Sequence, residues 1–258
     1  MAIKGDLGRI LSGVPIQVQG SNVAITQPTV KQICAFGEDD FFLGVNLFLN
    51  ADLMAKDVRE GNSRLAMLSD FQVLIVILQN DITARESFQN LFDLIFPGYI
   101  CSLAPGCIEF RVEGQNRMVG RLDPMNFENF QDCLKTLFLP QDAKNAKEYD
   151  YNPANAKAAE IAEKFKKADE KRREMRAKKE AKDGPSSLFA VYTSSLAIGL
   201  GIDINILFGY TPFQLYDAFT RYNKKTAYDL YQKVSTTPMM DVSKMEEPDV
   251  WFNDLYKQ

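Results

Sequence analysis

The sequence predicts an α+β fold, mainly α, in three parts. A helical N-terminal domain with short antiparallel β hairpins and a β meander covers 1–140, a polar linker and long charged helix cover 141–184, and a small all-helical, aromatic-rich domain with a C-terminal tail covers 185–258. Three observations carry this reading. Apolar residues recur at helical spacing through most of the chain, whereas period-two alternation is confined to 14–25 and 99–122. Charge is segregated: Lys157 to Lys182 holds eleven Lys and Arg against six Asp and Glu in a chain of net charge -4. The length of 258 residues is about 1.7 times a typical domain of ~150 residues, which fits two domains or one with an appendage.

The elements follow in order. Val14, Ile16 and Val18 alternate with polar neighbours, and Gly20-Ser21-Asn22 turns the chain before Val23 and Ile25, which predicts a hairpin. Thr26 is expected to cap a helix starting near Pro28, and Gly37 to separate it from a second around Phe41 and Phe42. A short helix is expected over Asp52 to Glu60, another over Phe71 to Gln79 capped by Ser69, and a third over Arg85 to Phe96 capped by Thr83 and stopped by Pro97-Gly98. Tyr99 to Leu103, Cys107 to Glu113 and Arg117 to Leu122 read as three strands joined by Pro-Gly and Gly-Gln-Asn turns. Asp123-Pro124 is expected to open a helix with Phe127, Phe130, Leu134 and Leu137 on its buried face, closed by Leu139-Pro140.

Residues 141–153 are polar and unpatterned. Beyond them Glu160/Lys164, Glu163/Lys167, Asp169/Arg173 and Glu174/Lys178 stand at i,i+4 with the acid first, the order that supports a solvated helix. Arg172 and Lys179 break its heptad seam, which favours a linker helix over a coiled coil, and a single aromatic, Phe165, disfavours a nucleic-acid stripe. Ser186 or Ser187 is expected to cap Leu188 to Ile198, Gly199 and Gly201 to bracket a break, Ile202 to Phe208 to form a short helix, and Thr211-Pro212 to open the next, continued by Ala227 to Val234. A last short helix is expected at Pro248-Asp249 around Trp251.

Composition excludes whole classes of chemistry. The chain has no histidine, which removes Ser-His-Asp and Cys-His catalysis, HExxH metalloprotease chemistry and Cys2His2 zinc sites. Its four cysteines, Cys34, Cys101, Cys107 and Cys133, contain no CxxC pair. Cys101 and Cys107 flank Ala104-Pro105-Gly106 and could face each other across a hairpin, but free thiols are the favoured reading. No glycine-rich phosphate loop occurs, and Glu38-Asp39-Asp40 reads as first-turn carboxylates rather than a cation site. No catalytic residue, metal site or cofactor is nominated, and a non-enzyme is expected. The longest apolar run, Phe71 to Leu78, is too short to span a bilayer and the N-terminus lacks a signal-peptide pattern, so a cytoplasmic protein is expected.

Two stretches carry a resemblance: ITQPTVKQICAFGEDDFF (Ile25 to Phe42) and IGLGIDINILFGYTPFQLYDAFTRYNKKTAYDLYQKV (Ile198 to Val234) with the trailing EEPDVWFNDL (Glu246 to Leu255). In that order, around a Lys-rich middle, they resemble tail assembly chaperones encoded in the tail-gene clusters of tailed bacteriophages. The resemblance implies a non-enzymatic protein of the host bacterial cytoplasm that holds the phage tape measure protein and recruits tail tube protein while the tail polymerises, with self-association into a homo-oligomer as a further option. The meander at 99–122 departs from that plan and keeps open the alternative of a structural component of the tail or baseplate.

The partner surface is expected among aromatics. Residues 185–258 hold 13 of the 29 Phe, Tyr and Trp side chains. Phe213, Tyr216 and Phe219 at i, i+3 and i+6 can dock in a core, whereas Tyr222, Tyr228 and Tyr231 continue beyond that stripe. At least one of Tyr222, Tyr228 and Tyr231, together with Trp251, is therefore expected in an exposed partner-binding patch.

Overall fold

The computed structural model describes residues 7–61, 65–115, 117–140, 187–237, 248 and 250–252. The N-terminal part runs α1 (Leu7–Leu11), β1 (Ile16–Gln17), β2 (Ala24–Ile25), α2 (Val30–Phe36), α3 (Glu38–Leu49), α4 (Ala51–Gly61), α5 (Asp70–Asn80) and α6 (Ile82–Ile95). Then come β3 (Tyr99–Ala104), β4 (Cys107–Val112), β5 (Met118–Leu122) and α7 (Phe127–Phe138). After residue 186 the chain forms α8 (Leu188–Leu200), α9 (Ile204–Phe208) and α10 (Pro212–Ser235). The architecture is α+β and mainly α, as the periodicity predicts. The expected charged helix at 157–182 and most of the expected helix at Pro248 lie outside the described residues.

Three helices start on the same device. Thr29, Ser69 and Thr211 each accept a bond from the backbone N–H three residues on, and the Oε1 atoms of Gln32, Gln72 and Gln214 accept in turn from the backbone N–H of the capping residue. Each box satisfies two backbone donors that a helix start otherwise leaves open. Pro212 follows Thr211 at the first helical position, where its fixed φ suits the helix.

Three expected starts shift. Thr29, not Thr26, caps α2, because only Thr29 has Gln three residues on. Asp81, not Thr83, caps α6, its Oδ1 accepting from Ala84 N at 3.0 Å. Asp123-Pro124 forms a turn before α7, in which Asp123 accepts from Met125 N at 3.0 Å, and the helix begins only at Phe127.

β1 and β2 pair antiparallel with Ile16 opposite Ile25. β3, β4 and β5 form the expected antiparallel meander, in the order β3-β4-β5, with an irregularity at Phe110/Arg111. Cys107 stands opposite Ala104 and Cys101 opposite Phe110, so the two thiols do not face each other across the hairpin. All four cysteines are free. Val23 and the Ser21 carbonyl press on Gly120 so closely that a Cβ there would overlap both, which requires glycine in β5.

A phenylalanine cluster fills the centre. Phe48 of α3 stacks on Phe92 of α6 at 5.2 Å and meets Phe130 of α7 edge-on at 5.4 Å, and Phe96 meets Phe110 of β4 at 4.8 Å. The C-terminal helices continue this core: Phe189 of α8 stacks on Phe42 at 5.7 Å and on Tyr216 of α10 at 6.2 Å. Phe189, Leu196, Leu207, Phe213, Leu215 and Tyr216 belong to the same buried cluster as the N-terminal half.

Candidate functional site

α8 carries no charged residue in its 13-residue sequence LFAVYTSSLAIGL. A helix apolar on all sides is expected to be enclosed. Here only one side is: Phe189, Thr193 and Leu196 are buried. The opposite side leaves Val191 49% and Ile198 84% exposed, with Ala190 and Ser194 on the same outward stripe. Gly201, in the left-handed region at φ 64°, ends the helix, and its N–H returns to the Ala197 carbonyl. α9 then adds Ile204 and Ile206, the latter 54% exposed, beside an exposed Leu200. The carboxylate of Asp203, occupied in capping α9 through Asn205 N at 2.9 Å, is the single charge between these two helices. The result is a run of aliphatic surface of the kind that marks interaction sites when contiguous.

Two anchors hold this surface. At the start of α8, Glu38 of α3 accepts from Leu188 N at 2.7 Å and Phe189 N at 3.3 Å, and Ser187 Oγ donates to its other oxygen. A carboxylate thus faces the positive end of the α8 dipole while belonging to a different helix. The acidic run Glu38-Asp39-Asp40 sits in the first turn of α3, and no cluster of three or more metal-ligating residues occurs among the described residues. At the other end, Gly199 lies against the ring of Tyr222 so tightly that any Cβ would overlap it. Val30 N also donates to Tyr210 O at 2.8 Å, which ties α2 to the α9–α10 connection.

The aromatics singled out from the sequence distribute along α10 and the tail. Tyr222, Tyr228 and Tyr231 are all half-buried, and Tyr222 packs against the core beside Gly199. Trp251 is half-buried too, its carbonyl accepting from Arg221 Nη1 at 3.1 Å, and its ring meets the exposed Phe252 edge-on at 5.7 Å. Leu230, between Tyr228 and Tyr231, is exposed. The aliphatic surface of α8 and α9 is absent from the sequence reading, which weighed aromatic content. The signal was there: a 13-residue helix without one charge has more apolar surface than one packed side can cover.

The remaining sites offer no convergent chemistry. A depression of about 520 Å³ is lined by Gln19, Gly20, Arg121, Asp123, Met125, Asn126 and Asn129. Its polar groups are engaged with one another: Arg121 pairs with Asp123 at 2.9 Å, Asn126 Nδ2 bonds the Gly20 and Arg121 carbonyls, and Asn129 Nδ2 bonds the Gln19 carbonyl. These bonds fasten the β1–β2 hairpin to α7. Burial pushes the thiols of Cys101 and Cys133 up to about 12, with the nearby Asp93 and Asp132 carboxylates adding to the effect, which keeps both thiols protonated and unreactive at neutral pH. Among the described residues no helix is long and apolar enough to cross a membrane. Comparison with protein-family models, with curated proteins and with solved structures finds no match.

Proposed function

We propose that the protein is a non-enzymatic tail assembly chaperone of a tailed bacteriophage, which binds apolar segments of the tape measure protein and recruits tail tube protein in the host cytoplasm. The observation that carries the reading is the uncharged aliphatic surface of Val191, Ile198, Leu200, Ile204 and Ile206, anchored to the core by Glu38 and Tyr222. Such a surface suits a protein whose task is to cover another chain's apolar segments, since exposed apolar surface marks sites of interaction with another chain. The order of the QPT, TPFQLY and YNKK motifs around the Lys-rich middle supports the same reading.

Co-expression with the tape measure protein of the same tail-gene cluster tests it. The soluble fraction of that protein should rise severalfold with the native chain and fall back with Ile198→Lys/Ile206→Lys, whose melting temperature should match the native value because both side chains face solvent. Unchanged tape measure solubility would overturn the proposal. The ordered β3–β5 meander favours a second reading, a structural component of the tail or baseplate. Mass spectrometry of purified virions separates the two, because a structural protein is present in stoichiometric copies and a chaperone is not.

A further inference from the structure

We draw no further inference here: the strongest candidate, the surface patch of the half-buried Tyr228 and Tyr231 and the exposed Leu230 on the last turns of α10, carries nothing because nothing in the structure shows what covers it.

Discussion

Glu38 shows how one side chain can join distant parts of a chain. It lies in the first turn of α3 yet caps α8, 149 residues beyond it at Ser187, through charge-assisted bonds. Its partial exposure tempers the electrostatic gain, so Glu38→Gln is expected to cost about 1 kcal/mol, read as a fall of ~2–4 °C in melting temperature. A native melting temperature in that variant would show the contact contributes nothing. The cysteines give a pH prediction. Burial raises Cys101 and Cys133 from 9.0 to about 12 in the folded chain, so the native state holds a proton that the unfolded state releases between those values. Their contribution is fully present below about pH 9 and is lost as pH rises toward 12. At neutral pH the exposed Cys34 should react with a thiol reagent faster than either, and comparable labelling of Cys101 and Cys133 would contradict their burial.

At the scale of elements, capping boxes set the starts of α2, α5 and α10, and a direct measurement is available for α10. Thr211→Ala removes the acceptor for Gln214 N and should lower stability by about 1 kcal/mol. Gln214→Ala should cost more, because Gln214 Oε1 also accepts from Thr211 N at 2.8 Å and its Nε2 donates to the Leu11 carbonyl at 2.6 Å, fastening α10 to α1. Urea midpoints in this order, at constant slope, are the expected result, and equal effects would rule out the α1 tie. Which elements exist was legible because period and turn residues are local: the meander, the Gly37 break and the Ser69 start all stand in the structure. Starts at Thr26 and Asp123 differ because a lone Thr or Asp is a common residue, whereas the pair with Gln three residues on specifies geometry. For α6 the Thr83/Glu86 pair matches the same pattern but lies inside the helix, and only the three-dimensional bond from Ala84 N to Asp81 identifies the cap. The site was less legible still. Which face of α8 is left open depends on Phe42, Tyr216 and Tyr222 meeting its other face, contacts made across long sequence separations.

At the scale of the whole molecule, the question is whether the parts on either side of residues 141–186 stand alone. Phe41 of α3 meets Phe138 of α7 at 5.2 Å, and the neighbouring Phe42 is stacked on Phe189 from the C-terminal side. Removing α8 to α10 would expose Phe42 and the underside of α2, and would leave the Glu38 carboxylate and the Leu11 carbonyl without the donors they now accept from. The C-terminal part alone would be worse placed, since Phe189, Leu207, Phe213 and Leu215 would lose much of the surface that buries them, and a chain of about 70 residues rarely sustains a core without such help. Residues 1–140 and 187–258 are therefore expected to lack cooperative unfolding as separate fragments and to recover it as a one-to-one complex when co-expressed. Calorimetry on each fragment and on the mixture decides the point. A 1–140 fragment that melts cooperatively at the full-length temperature would mean the N-terminal half is an independent domain, as its composition suggests, and that α8 to α10 contribute surface rather than stability.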